Sequence, residues 1–340
     1  MRIGRVHIFG YDLRYAHGEY VMSGGRTITS LESTIVKLET DDGLAGYGET
    51  CPLGATYLPA HAAGARAALE AVAPALIGVD PRNLNAVWAA LDGALAGHDY
   101  AKSAVDIACW DLLGKAAGLP VSTLLGGALS EDFPLYVAIP LGPIDAMVAH
   151  VRARRAEGVR LFQLKLGADP RAHAGGVRAL EDLDRVLFEQ PCPTLEECLI
   201  VRERTTLPMV LDEVITDVTT LVRAYGAMEG VNLKLGRVGG LTPARLMRDL
   251  GVELGLRLTI EDSWGGDLTT AAVAHLAATT SPDALLMASF MNDWTLDHIA
   301  GHEPRSRGGR GSAPTGQGLG VEVDAEALGE PLFSTGGGDR

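Results

Sequence analysis

Two periodicities divide the chain. Up to about residue 50, apolar and polar positions alternate in short runs, Arg2-Ile3-Gly4-Arg5-Val6-His7-Ile8 and Ser33-Thr34-Ile35-Val36-Lys37-Leu38-Glu39-Thr40. This is the period-two pattern of half-buried strands. The second run meets Asp42-Gly43, a hairpin signal, before Leu44 to Glu49 continues the sheet. Between the runs, Tyr20 to Thr27 contains Gly24 and Gly25 and reads as a mobile loop able to close over a ligand. From Ala60 the pattern turns helical, with Ala-rich segments at Ala62 to Ala75, Leu84 to Ala96 and Ala101 to Ala117, the last stopped by Gly118-Leu119-Pro120. A meander followed by helices predicts an α+β capping domain over residues 1–130.

Beyond Phe133 strands and helices alternate, as in a parallel sheet covered by helices. The predicted strands are Pro134 to Ile139, Leu161 to Leu166, Val186 to Glu189, Met209 to Asp212, Val231 to Lys234, Arg257 to Glu261 and Leu285 to Phe290. They define a barrel domain over residues 131–316. The Gly-rich, basic stretch Arg305 to Gly316 reads as a solvated loop, and residues 317–340 as a return to the cap.

Several of these strands end on ionisable residues. Phe162-Gln163-Leu164-Lys165-Leu166-Gly167 is echoed by Val231-Asn232-Leu233-Lys234-Leu235-Gly236, and the runs between and after them end at Glu189, Asp212 and Glu261. Lysines and acids at successive strand ends predict a site at the C-terminal face of a parallel barrel. Two matched lysines suggest paired bases.

The spacing breaks once. Glu189 to Asp212 is 23 positions, Asp212 to Lys234 is 22 and Lys234 to Glu261 is 27, so one β/α unit takes twenty-odd residues. Lys165 to Glu189 is 24, with a single helix-like stretch from Ala172 to Leu183, leaving room for one unit. Seven barrel strands can be counted, whereas closure of an eight-stranded barrel needs them all.

Charge and cysteine usage narrow the partners. A net charge of -14 without clustered Lys and Arg argues against nucleic acid or an anionic membrane. The four cysteines form no Cys-x-x-Cys pair and read as reduced, buried residues of a cytoplasmic protein. No signal peptide opens the chain and no apolar run reaches spanning length.

A set of motifs then points to a family. Gly48-Glu49-Thr50-Cys51-Pro52, Ala104-Val105-Asp106-Ile107-Ala108-Cys109-Trp110-Asp111, Leu124-Leu125-Gly126-Gly127, Phe188-Glu189-Gln190-Pro191, Lys234-Leu235-Gly236-Arg237-Val238-Gly239-Gly240 and Gly318-Leu319-Gly320-Val321 resemble the enolase superfamily, in its mandelate racemase and muconate lactonising branch. Within it, Tyr20 to Gly25, Cys51 to Pro59, Gln163-Leu164-Lys165 and Ile260-Glu261-Asp262-Ser263-Trp264-Gly265-Gly266-Asp267 are most similar to the cis-3-hydroxy-L-proline dehydratases. They are also similar to the proline-betaine and hydroxyproline-betaine epimerases.

The resemblance implies an α/β fold, a modified TIM-type (β/α)7β barrel with an α+β capping domain, here lacking one β/α unit after the second barrel strand. It implies Mg2+ held by three carboxylates, of which Glu189 and Asp212 match the second and third. The first would lie in the missing unit. Asp169, in a turn before Pro170, reads as a turn former rather than a substitute. Lys165 and Lys234 become catalytic bases on opposite sides of a substrate α-carbon, with either as the proton acceptor. A lysine beside the cation would have a lowered pKa. Tyr57, Asp262 and Trp264 become substrate-binding residues, Trp264 offering its ring to an ammonium or else packing at the barrel rim. The implied activity is Mg2+-dependent dehydration of a proline-like amino acid through an enediolate, by a homo-oligomer. Betaine epimerisation, or a homologue disabled by the missing ligand, are the alternatives.

Overall fold

The structure is a computed structural model that describes residues 1–22, 25–165 and 186–337. Leu166, Asp169 and the helix expected from Ala172 to Leu183 lie outside the described residues.

The cap is built on two long strands, β1 (Ile3–Arg14) and, after a hairpin of β2 (Tyr20–Met22) and β3 (Arg26–Ile28), β4 (Ser30–Thr40). Strand β5 (Ala45–Thr50) follows the Asp42-Gly43 turn and pairs antiparallel with β4. Helices α1 (Ala62–Leu76), α2 (Leu84–Ala94) and α3 (Asp99–Ala117) cover the sheet. Gly118 ends α3 in the left-handed conformation, φ 69°, which a residue without Cβ adopts without strain.

Helix α3 is buried over most of its length, as befits a helix packed on several sides. It approaches β5 closely because Gly46 and Gly48 have no side chains. A Cβ at Gly48 would lie 1.9 Å from the Ala104 carbonyl oxygen. Two acids of α3 then bind cap to barrel. Asp106 accepts hydrogen bonds from Trp88 Nε1 at 2.8 Å and Thr242 N at 2.9 Å, and Asp111 accepts from Tyr47 N at 3.0 Å and Leu319 N at 2.9 Å.

After the short helix α4 (Val121–Leu124) and strand β6 (Phe133–Pro134), the barrel begins. Its first two strands, β7 (Tyr136–Ile139) and β8 (Leu161–Leu164), flank α5 (Ile144–Ala156) and pair parallel. A second parallel sheet contains β9 (Phe188–Glu189), β10 (Met209–Leu211), β11 (Gly230–Lys234), β12 (Arg257–Glu261) and β13 (Leu285–Ala288), in that spatial order. A bridge from Leu135 to Ala288 joins the last strand to the first. Among the described residues no ladder joins β8 to β9, the interval in which the spacing had placed the missing unit. Gln163 Nε2 reaches Glu189 Oε2 across this interval at 2.5 Å.

Two expectations are corrected. Tyr20 to Thr27 is no bare loop: β2 and β3 pair, Tyr20 opposite Ile28, because Tyr20 and Met22 both bury against the barrel mouth. Arg305 to Gly316 is not wholly solvated. Strand β14 (Arg310–Gly311) pairs with β6, since Gly311 packs against the rings of Phe290 and Phe133 and Arg310 binds Asp132 at 2.7 Å. The C-terminal strand β15 (Phe333–Gly336) returns to the cap and pairs with β1.

Candidate active site

The strand ends of the barrel open into a narrow cavity of about 40 Å3. Lys165, Lys234, Glu261, Asp262, Tyr57 and Trp264 line it, whereas the strand-end acids Glu189 and Asp212 are not among its lining residues. The convergence follows from register: Lys234 is paired with Glu261 across β11 and β12, and Glu189 with Val210 across β9 and β10.

Asp212 lies just past β10 and is buried. Its Oδ2 accepts from Lys234 Nζ at 2.8 Å and its Oδ1 from the Arg237 guanidinium at 2.6 Å. Burial alone would raise its pKa, but the two cations win and hold it well below the ordinary 3.8. Reciprocally, burial would lower the pKa of Lys234, yet Asp212, Tyr57 and Glu261 raise it well above 10.5. In this arrangement Lys234 is held charged, because its nearest charged neighbour is an anion.

Glu189 is raised above 4.5, first by burial, then by Asp212, with Lys165 and Lys234 opposing. Glu261 is pushed up to about 7, again first by burial, with Lys234 opposing and Asp212 and Glu189 adding to the shift. Its Oε2 accepts from the Tyr136 hydroxyl, while Oε1 has no hydrogen-bond partner among the described residues. Lys234 Nζ lies 3.6 Å from that oxygen.

Asp262 is differently engaged. It accepts from Gly236 N at 2.8 Å and from Ser263 N at 2.6 Å, fastening the turns after β11 and β12. Tyr57, from the cap, donates to Glu213 and lies 3.4 Å from Lys234 Nζ, closing the cavity over the lysine. Trp264 is 2% exposed and meets Tyr20 and Trp294 edge-on, with ring centroids 5.5 and 5.6 Å away. Glu49 holds this wall in place, accepting from Gly266 N at 2.8 Å and Thr269 N at 3.0 Å.

Sequence reasoning did not single out Arg237, Tyr136, Glu213 or Trp294. Arg237 follows Lys234 by three residues in a one-turn helix, and Tyr136 sits on a strand next to the cavity, so position offered a signal. Trp294 follows β13 by an irregular path and offered none.

The acids bear on the expected metal. Glu189 and Asp212 stand at adjacent strand ends, but among the described residues no three His, Cys, Asp or Glu side chains are grouped to hold an ion. Both oxygens of Asp212 are already bound by cationic side chains. The described residues therefore do not fit a complete Mg2+ site.

A capped parallel barrel with lysines and acids converging at its C-terminal mouth defines an enzyme-like class of α/β proteins. Residues 17–126 match the mandelate racemase/muconate lactonizing enzyme N-terminal domain, and residues 169–327 match the enolase C-terminal domain-like family. A cis-3-hydroxy-L-proline dehydratase of Roseibium aggregatum is 44% identical over 98% of this chain and 99% of its own length. The chain thus belongs to the mandelate racemase/muconate lactonizing enzyme family of the enolase superfamily. A mandelate racemase/muconate lactonizing enzyme from Roseovarius nubinhibens ISM superposes with a TM-score of 0.95 at 34% identity, covering 100% of both chains. An enolase-superfamily member from the same organism, complexed with magnesium, superposes at 0.92 with 37% identity, covering 99% of this chain and 100% of its own. The similarity to the dehydratase runs over 364 positions, 24 more than the 340 residues here, so the relative has positions with no counterpart, about one β/α unit's worth. Among the described residues no helix is long and apolar enough to cross a membrane.

Proposed function

We propose that this chain is a carbon-oxygen lyase that dehydrates cis-3-hydroxy-L-proline. The observation that carries the reading is the meeting of Lys165 and Lys234 in one cavity that is acidic on one side and aromatic on the other. The 44% identity to a dehydratase of that substrate supports it. Removing a proton α to a carboxylate builds negative charge that water stabilises poorly, so fixed cations at that point lower the barrier. Lys234, held charged by Asp212, supplies such a cation. Lys165, across the cavity just past β8, is then the base that takes the α-proton. Trp264 and Trp294 suit the ring and ammonium of a proline-like amino acid. Glu189 and Asp212 are the positions a bound Mg2+ would use in such a family, but without a third described acid the steps here rest on the chain's own side chains.

The test is incubation of cis-3-hydroxy-L-proline in D2O, with and without Mg2+, followed by NMR and mass spectrometry. Loss of water to a cyclic imine carboxylate, abolished by Lys165→Met, is the expected outcome. Retained mass with inversion at the α-carbon would make the chain an epimerase, and absence of both exchange and product would make it a disabled homologue.

A further inference from the structure

We infer that Glu261 is the general acid that protonates the departing 3-hydroxyl. The inference rests on the dehydratase reading and adds the proton donor to it.

Elimination requires a proton for the leaving oxygen, because hydroxide is a poor leaving group. In the cis isomer the hydroxyl shares a ring face with the carboxylate and lies opposite the α-hydrogen. An anti elimination then needs base and acid on opposite faces of the ring. Lys165, just past β8, and Glu261, at the end of β12, stand on opposite sides of the barrel mouth, with β7 and β13 between them one way and β9, β10 and β11 the other.

The other candidate donors at the cavity are committed. Lys234 donates to Asp212 at 2.8 Å. Asp262 is held by two backbone amides, and the Tyr57 hydroxyl donates to Glu213. Glu261 is 1% exposed and lines the cavity, yet its Oε1 has no hydrogen-bond partner among the described residues. An orphaned oxygen on a buried carboxylate is costly, whereas the same oxygen carrying a proton is a donor awaiting a ligand. Tyr136 selects which oxygen bears it. By donating to Oε2 it fixes that atom as an acceptor, so a proton on the carboxyl resides on Oε1.

The groups facing Glu261 are Tyr136, Tyr20, Lys234, Asp212 and Glu189. Burial and the two neighbouring carboxylates outweigh the lysine, leaving the acid with a pKa of about 7, suited to donating near neutrality. In the step, the Cα–H bond breaks as its proton goes to Lys165 Nζ. The C–H electron pair is first held as an enediolate on the substrate carboxylate, the stage at which the α-position can exchange, and then forms the C2=C3 double bond. The C3–O bond breaks with its pair on oxygen, and the Glu261 proton completes water. Lys165 is left protonated and Glu261 ionised, and exchange with solvent restores both.

The experiment separates proton abstraction from hydroxyl loss. In Glu261→Gln, wash-in of deuterium at the α-carbon is expected within about threefold of wild type, while water loss falls by roughly 10²-fold or more. With cis-3-chloro-L-proline, whose leaving chloride needs no proton, elimination by the variant returns to within about tenfold of wild type. On the wild type itself, the hydroxy substrate loses rate as pH rises through the acid's pKa and the chloro substrate lacks that limb. Exchange and water loss falling together, chloride loss falling as far as water loss, or identical pH profiles for the two substrates would each overturn the role. A wild type that exchanges the α-proton without losing water refutes the dehydratase reading instead, and is recognised before any variant is made.

Discussion

Replacing Glu261 by Gln removes a carboxyl whose pKa is raised from 4.5 to about 7 in the folded chain. Below 4.5 the group is protonated folded and unfolded alike, and costs nothing electrostatic. As pH rises from 4.5 towards 7 the unfolded chain releases the proton and the folded chain keeps it, so stability falls. Above about 7 the loss levels off, at 1.36 kcal/mol for each pH unit between the two values, or about 3 kcal/mol. Gln keeps an oxygen for the Tyr136 hydroxyl but cannot ionise. The variant is therefore expected to be more stable than wild type by up to about 3 kcal/mol at pH 8 and nearly equal to it at pH 4.5. With an unfolding entropy of about 2.1 cal/mol/K per residue, that is a rise in Tm of about 4 °C at pH 8. Thermal melts of both proteins from pH 4.5 to 8.5, followed by circular dichroism, measure the difference. A variant destabilised at pH 8, or shifted equally at all pH values, would refute the burial argument and show Glu261 to be held as a paired carboxylate.

Three other perturbations probe neighbouring parts of the site and its scaffold. Asp212→Asn strips the shared anion from Lys234 and Arg237, so chemical denaturation at pH 7 should show a loss of about 3–5 kcal/mol. Because the Asp212 pKa is depressed, this loss should shrink as pH falls below 3.8; no loss at pH 7 would mean that the triad is solvated. Arg237→Met releases one oxygen of Asp212, so Mn2+, followed by electron paramagnetic resonance as a stand-in for Mg2+, should bind more tightly than to wild type. Equal affinity would show that Arg237 does not compete with a metal. Gly48→Ala places a Cβ 1.9 Å from the Ala104 carbonyl oxygen and should cost about 1–3 kcal/mol or more, read as a lower Tm or as insoluble protein.

The barrel was legible because its information is local. Each of β10, β11 and β12 is a short apolar run closed by an ionisable residue, and a strand end is where a parallel barrel exposes side chains. The shortened interval before Glu189 was legible too, since repeat length is a property of the chain, and among the described residues no ladder joins β8 to β9. The β2–β3 hairpin escaped notice because its glycines signal a turn, while Tyr20 and Met22 are ordered by burial against residues far away in sequence. The strand at Arg310–Gly311 was missed for the same reason: Phe133 and Phe290 decide it, and nothing near Gly311 announces them.

The carboxylates at the cap–barrel junction divide by the partners they find, and identity alone could not have sorted them. Glu49, Asp106, Asp111 and Asp262 all accept backbone N–H groups, from Gly266, Thr242, Leu319 and Gly236 among others. Such acids satisfy amides that would otherwise be orphaned, and so fix the turns that aim other side chains. Asp262, expected to bind substrate, belongs with them on this geometry, since its two oxygens are occupied by Gly236 and Ser263. Glu261, the last residue of β12, lines the same cavity but meets only side chains, a tyrosine hydroxyl and a lysine already bound elsewhere. One strand end thus carries, side by side, a positioning acid tied to backbone amides and an acid with free proton-carrying capacity. That difference makes Glu261, and not its neighbour, the carboxyl whose protonation the reaction can use.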